Sequence, residues 1–180
     1  MQETNLYTVS IPPMIKALKA LAEILGKGLA HAETKSSDWM PTEKQMTALL
    51  NDRLVFDQFP LIKQIQIATD NAKGAAARLA EIEIPKFEDN ETTVEELQAR
   101  ITKTLEFLES IKPEQIIGKE DLKISLPYWK DKYLTGFEYV TEYLMANFYF
   151  HVTTAYSILR KNGVNVGKSD FSGGLPLKDL

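Results

Sequence analysis

NFYFHVTTAYSILR, residues 147–160, is the most informative stretch of the chain, since it combines a helical apolar seam with polar side chains. Helical geometry places Asn147, His151 and Thr154 on one face, each about one turn from the next. His151 is one of only two histidines in the sequence. A polar patch therefore interrupts an apolar seam, and this patch is the candidate site.

The composition around this stretch predicts one globular domain spanning residues 1–180, with residues 163–180 as a surface tail. Hydrophobic residues make up 44% and charged residues 26% of the 180 positions, which is enough for a single core. The net charge of −4 and the pI near 5.3 argue against nucleic acid and anionic membranes as partners, because both require clustered basic residues.

Cysteine usage and hydropathy exclude further classes of protein. The chain has no cysteine, which excludes thiolate catalysis, zinc ribbons and disulfide scaffolds. No apolar run approaches the roughly 20 residues that span a bilayer, and MQETNLYTVS at the start does not resemble a secretion signal. We therefore expect a soluble cytoplasmic protein with no membrane partner.

Apolar periodicity and capping signals predict four long helices. The expected bounds are from a cap at Ser10 to about His31, from Phe59 to Leu79, from a cap at Thr92 or Thr93 to about Lys112, and from Gly136 to Lys161. A short extra helix, Pro41 to Leu50, is expected between the first two helices, with its proline in the first turn.

The segment before the last helix has a different character. Ile124–Leu126 and Tyr133–Thr135 are short β-like runs separated by a stretch with turn-like composition, which predicts a small β-hairpin. The predicted fold is therefore all-α: a four-helix bundle with a β-hairpin before its last helix.

Several stretches resemble motifs of a known group of helical bundles: residues 10–33 (SIPPMIKALKALAEILGKGLAHAE), 59–80 (FPLIKQIQIATDNAKGAAARLA), 87–93 (FEDNETT), 147–164 (NFYFHVTTAYSILRKNGV) and 167–171 (GKSDF). Together with the order of elements, they resemble the DinB and YfiT-like superfamily. Within it, the chain is most similar to an uncharacterised branch known as a domain of unknown function. The resemblance covers nearly the whole chain.

This resemblance implies where a metal would lie. The superfamily typically holds a divalent ion, often zinc or nickel, with one histidine from the second helix and a pair four residues apart on the last. The pair corresponds to Asn147 and His151, and the remaining ligand to Gln64 or Gln66. We prefer Gln64, because periodicity places it at the border of the apolar seam and turns Gln66 towards Lys73 and solvent.

Carboxamides are poor zinc or nickel ligands, so we predict a degenerate metal site without a bound cofactor. A weak site, if formed, would use His151, Asn147, Gln64 and Asp57. The alternative use of the pocket is hydrogen bonding to a small polar ligand by His151, Asn147, Gln64 and Thr154. The structural alternative is a buried histidine that pairs with a neighbouring Asn, Gln or Thr.

Aromatic side chains crowd the last helix on more than one face, which predicts burial on more than one side. We expect part of this surface, with Gly74–Ala77, to pack in a homodimer. The alternatives are that the hairpin and tail cover the rings and, for Gly74–Ala77, a close helix crossing, which we prefer. Lys73 and Arg78 are expected at the surface.

Two functional classes follow. The first is a non-catalytic or small-ligand-binding bundle with a degenerate metal site around His151. The second, implied by the superfamily, is a divalent-metal-dependent enzyme, either a thiol-dependent transferase or a hydrolase. Whether the protein is an enzyme stays open at this stage.

Overall fold

The computed structural model describes residues 4–179, which are mainly helical. Its long helices are α1 (Leu6–Thr34), α3 (Leu61–Leu79), α4 (Val94–Ser110) and a final helix made of α5 (Gly136–Glu138), a π-helical segment (Tyr139–Leu144) and α6 (Met145–Lys161). Shorter elements are α2 (Thr42–Asn51), a 3₁₀ turn (Pro113–Gln115) and α7 (Lys168–Ser172). The helical class predicted from the sequence is confirmed.

The long helices form a bundle around one apolar core. Helix α3 packs against α6 on one side and α4 on the other, while α1 completes the ring by packing against α4 and α6. Helix α2 bridges α1 and α3, and α7 packs on α1. Because α3 and α6 form the most extensive helix pair, polar residues on their facing sides define the candidate site.

Helix α1 begins one turn earlier than predicted. Asn5, not Ser10, is its N-cap: the Asn5 side chain accepts from the Thr8 amide at 3.0 Å, and the Thr8 hydroxyl oxygen accepts from the Asn5 amide at 3.0 Å. Ser10 lies inside the helix and donates to the Leu6 carbonyl. The reciprocal cap fixes the start upstream, and the Pro12–Pro13 pair is accommodated within the helix.

The predicted β-hairpin is wrong, because the described residues contain no strands. Ile124 and Leu134 form a single antiparallel pair with two hydrogen bonds of 2.9 Å. The next pair is not formed, because the Lys132 carbonyl accepts from the Ser125 hydroxyl at 2.8 Å and the Leu126 carbonyl from the Trp129 amide at 2.9 Å. Lys130 and Asp131 take positive φ values of 41° and 64° that close the turn. A single bridge between two residues therefore forms where the composition predicted a small sheet.

Thr93 is the N-cap of α4, which settles the choice between Thr92 and Thr93. The Thr93 hydroxyl accepts from the Glu96 amide at 3.2 Å, and the Glu96 carboxylate accepts from the backbone amides of Thr92 and Thr93 at 2.6 and 3.1 Å. These amides lower the pKa of Glu96. The loop 80–93 is thereby fixed at the start of α4.

The small residues Gly74–Ala77 are buried within the chain itself, the three alanines with 0% exposure. This burial agrees with packing inside the bundle, and the segment offers no surface to a second copy. The tail predicted for residues 163–180 is likewise not wholly at the surface, since Val164 and Val166 are buried.

Gly136 permits the tight entry into the last helix. A Cβ on this residue would lie 2.0 Å from the Lys119 carbonyl oxygen, which no side chain allows. The adjacent Phe137 amide donates to the Glu120 carbonyl at 3.0 Å, and Thr135 caps the helix. Backbone contact with the preceding loop therefore fixes where the last helix begins.

No helix in residues 4–179 is both long and apolar enough to cross a membrane.

Candidate functional site

The centre of the site is a hydrogen bond between α6 and α3. His151 Nδ1 lies 2.7 Å from Gln64 Oε1, and Gln64 Nε2 donates to the Phe59 carbonyl at 2.9 Å. His151 is 8% exposed and Gln64 only 1%. The structure therefore brings together the two residues that the sequence placed opposite each other.

This geometry determines which nitrogen of His151 carries the proton. Since the Gln64 Nε2 group donates to Phe59, the Gln64 oxygen must face the imidazole, and a carbonyl oxygen only accepts. The proton therefore lies on Nδ1. Burial lowers the pKa of His151, so the ring is neutral at pH 7 and its Nε2 carries a lone pair.

Two exposed aromatic side chains belong to the same region. The Phe150 ring packs edge-to-face on His151, with the ring centroids 5.2 Å apart. Phe150 is 52% exposed, and Phe59, whose carbonyl holds Gln64, is 54% exposed. The buried polar pair is thus adjacent to apolar surface.

Asn147 belongs to a second polar group one turn away. Its Nδ2 group donates to the Tyr143 hydroxyl at 3.0 Å and to Asn71 Oδ1 at 3.3 Å, so both amide protons have acceptors. Tyr143 also bonds to the Tyr128 hydroxyl. Asn71 Nδ2 is buried and finds no hydrogen-bond partner among residues 4–179. Asn147 and His151 share a helix face, but the structure gives them different partners.

The π-helical segment positions this second group. Tyr139 and Tyr143 both lie in it and stack with ring centroids 5.6 Å apart and an interplanar angle of 25°. Trp129 packs edge-to-face on Tyr143 at 5.2 Å. Burial, followed by the bond to Tyr143, raises the pKa of Tyr128 well above its ordinary value, so the Tyr128 hydroxyl keeps its proton.

The other predicted site residues differ in their placement. Thr154 is buried, but its hydroxyl donates to the Phe150 carbonyl of its own helix at 2.7 Å. Asp57 is exposed in the loop before α3. The expected orientation of Gln66 is wrong: it is 4% exposed and donates to Glu91 at 2.8 Å, because the loop 80–93 covers that side of α3.

Comparison with known proteins identifies the family. Residues 6–172 match the family described as Domain of unknown function (DUF1993). The chain belongs to the DUF1993 family. It is also similar to the crystal structure of a DinB family member protein from Shewanella denitrificans, with 44% identity over 97% of this chain and 96% of that one and a TM-score of 0.89. These findings confirm the predicted resemblance to a branch of the DinB-like superfamily. No curated protein matches the chain.

The metal implied by the superfamily does not fit the donors of this DUF1993 protein. Residues 4–179 contain no group of three His, Cys, Asp or Glu side chains that could hold an ion. At the corresponding positions, Gln64 has both ends of its carboxamide bonded, and both amide protons of Asn147 are bonded. His151 Nε2 is the one strong metal-ligating atom at these positions, and zinc normally takes at least three ligands from protein.

The sequence analysis did not predict a third polar group in this family member, a cluster centred on Arg100 of α4. Arg100 is 2% exposed; its Nε donates to the Thr69 hydroxyl at 2.7 Å, Nη1 to Glu91 at 2.9 Å and Nη2 to Asp70 at 2.6 Å. Asp70 also pairs with Lys73 at 2.9 Å. The cluster joins α3, α4 and the loop 80–93.

The Phe87 ring covers this cluster, with Lys73 Nζ 4.9 Å and Arg100 Cζ 5.4 Å from its centroid. Lys73 is therefore buried, contrary to the prediction that it lies at the surface. Burial opposes ionisation of Asp89 in the same loop, but bonds from Lys63 and the charge of Arg100 hold its pKa below the ordinary value.

The sequence contained a signal for this cluster, because Arg100 occupies the apolar face of α4 and acidic residues precede that helix.

Proposed function

We propose that this protein is a non-catalytic, small-ligand-binding helical bundle whose site contains His151, Gln64, Asn147 and Thr154 and no resident metal. The observation that carries the proposal is the pairing of His151 Nδ1 with Gln64 at 2.7 Å. This bond holds the imidazole in one tautomer and leaves Nε2 as a hydrogen-bond acceptor. The site is thereby preorganised, which lowers the entropy lost on binding.

The chemistry of the site favours a particular ligand. A neutral imidazole with its lone pair on Nε2 accepts an N–H or O–H, and the exposed rings of Phe59 and Phe150 favour an apolar body beside that donor. We therefore expect a small polar molecule with one donor group and an apolar portion. A simple anion is disfavoured, since it has no proton to donate.

A thermal-shift screen of small metabolites tests this proposal when it is combined with ¹⁵N spectra of the histidine ring. A true ligand should raise the melting temperature and move the Nε2 resonance of His151, while Nδ1 keeps its proton. His151→Ala should abolish the response. If the variant merely loses stability and no compound affects the wild-type ring, His151 is a buried structural residue and the proposal fails.

The alternative function is a divalent-metal-dependent enzyme of the DinB/YfiT-like type, either a thiol-dependent transferase or a hydrolase. It is favoured by the position of His151, which corresponds to a superfamily metal ligand and has a lone pair on Nε2. Metal analysis of protein purified without a histidine tag discriminates between the two. Stoichiometric zinc or nickel that disappears in His151→Ala would establish this alternative in place of ligand binding.

We also propose that the protein forms a homodimer through exposed aromatic surface of the last helix. Phe137 and Phe150 are 55% and 52% exposed on that helix, and exposed apolar surface favours association. Sedimentation at micromolar concentration should give the mass of two chains, and a mass of one chain would refute the dimer. The cytoplasmic location stays a prediction, which cell fractionation tests.

A further inference from the structure

A cavity of about 570 Å³ lies where α2 meets α1, the beginning of α3 and the first turn of α4. None of the His151 site residues lines it. Its volume falls within the range of about 300–1,000 Å³ that is usual for small-molecule sites. Its apolar lining consists of Leu29, Met46, Leu50, Ile62 and Val94. An apolar ligand body of moderate size would therefore fit here.

The charged groups around this cavity are all acidic. Glu43 and Glu95 are exposed at its rim, and the lining residues include no lysine or arginine. Neither carboxylate forms an ion pair within residues 4–179. The cavity thus combines an apolar floor with two carboxylates that have no counter-charge of their own.

The uncharged polar groups at the rim also favour a ligand that donates hydrogen bonds. The Thr47 hydroxyl donates to the Glu43 carbonyl at 2.9 Å, and Asn51 Nδ2 donates to the Thr47 carbonyl at 2.8 Å. The Thr47 hydroxyl proton and one of the two Asn51 amide protons are therefore used within α2. The oxygens of both side chains keep acceptor capacity, which a ligand with several N–H groups can satisfy.

The partial positive charge at the N-terminus of α4 does not reverse the preference of the cavity for a cation. A helix N-terminus carries a positive end equivalent to about half an elementary charge. Glu96 already accepts from the Thr92 and Thr93 amides, and Glu95 adds a second negative charge in the same turn. The lining also includes the first turns of α2 and α3, so three helix N-termini supply about one and a half positive charges, which the three carboxylates of Glu43, Glu95 and Glu96 exceed.

We propose that this cavity binds an apolar cation: an ammonium group with a small aromatic or aliphatic body. The apolar body packs on Met46 and Leu50, and the ammonium lies beside Glu43 and Glu95. This inference is independent of the His151 site.

Three probes of similar shape but different charge test the inference: phenethylammonium, 2-phenylethanol and 3-phenylpropionate. Binding is followed through the Met46 methyl resonance, assigned with Met46→Leu. Met14 is the reference, because it is 15 residues from Leu29 on α1, which is about 22 Å along the helix at 1.5 Å per residue. The ammonium should shift Met46 and bind roughly two- to ten-fold more tightly than the alcohol, with the carboxylate weakest.

The double substitution Glu43→Gln and Glu95→Gln should make the ammonium and the alcohol bind alike while leaving the alcohol's affinity within two-fold. Glu106→Gln, at another exposed position of α4, is the matched control and should keep the full preference. The inference is overturned if the alcohol equals the ammonium in the wild type, if no probe shifts Met46, or if the double variant keeps the preference.

Discussion

Replacement of Gln64 by Glu should invert the contribution of His151 to the pH dependence of stability. In the wild type, burial lowers the pKa of His151 in the folded state, whereas the unfolded chain takes up a proton near pH 6.5. The contribution of His151 is therefore full above about pH 6.5 and declines as the pH falls, by up to about 1.4 kcal/mol by pH 5.5.

The variant places a carboxylate where the Gln64 oxygen now lies, 2.7 Å from Nδ1. Opposite charges about 4 Å apart interact by about 4 kcal/mol at an effective dielectric constant of about 20. Part of this is lost to burial of the carboxylate and to its contact with the Phe59 carbonyl, but the pKa of His151 should rise above its ordinary value. A raised pKa contributes stability that is full below about pH 6.5 and is lost as the pH rises through the folded-state pKa.

Urea unfolding followed by tryptophan fluorescence measures the difference directly. Between pH 7.5 and 5.5, the stability of Gln64→Glu should improve relative to wild type by about 1.5–3 kcal/mol. The pH dependence that other carboxylates contribute cancels in this difference, since they are common to both proteins. His151→Gln in each background should remove the effect. A difference between wild type and Gln64→Glu that does not change with pH would refute the bond or the neutral state of His151.

Three further predictions concern stability and are checked by urea or thermal unfolding. Arg100→Met should cost about 1–3 kcal/mol, because it removes the hydrogen bonds that the buried guanidinium donates to Thr69, Glu91 and Asp70, whereas exposed Lys103→Met should change stability by less than about 0.5 kcal/mol. Gly136→Ala should cost at least about 1–3 kcal/mol, because its methyl would lie 2.0 Å from a backbone oxygen; Gly174→Ala, with no atom within 4 Å of the added methyl, should be nearly neutral. Thr93→Ala should cost about 1 kcal/mol through loss of the α4 cap, and an unchanged midpoint would show that the cap contributes nothing.

Local signals predicted much of the fold. The ends of α3 and α4 follow from Pro60, the cap at Thr93 and the apolar seams between them, because these features act within one turn of the chain. The start of α1 could not be placed in this way: Pro12 suggested a first turn, whereas the cap at Asn5 lies further upstream. The β-like composition near Ile124 led to a wrong prediction. A strand needs a ladder of hydrogen bonds to a neighbouring strand, and the single Ile124–Leu134 pair does not supply one.

The site was predictable only where one residue's position fixed its partner. The resemblance to the superfamily placed His151 and Gln64 at positions of metal ligands, so their proximity could be expected. The Arg100 cluster required knowledge that the loop 80–93 folds back over α3, which no local pattern reveals. For the same reason, Gln66 and Lys73 were assigned to solvent although the loop covers both.

The π-helical segment Tyr139–Leu144 has a consequence for comparing relatives of this protein. A π turn holds one more residue than an α turn, so it changes the rotational phase of every later side chain by about 100°. A relative that is regular α-helix here would turn the equivalents of Asn147 and His151 away from α3 unless it were also one residue shorter. Alignment with such a shorter relative therefore needs a single-residue gap within the segment, and an ungapped alignment would assign the wrong residues to the site.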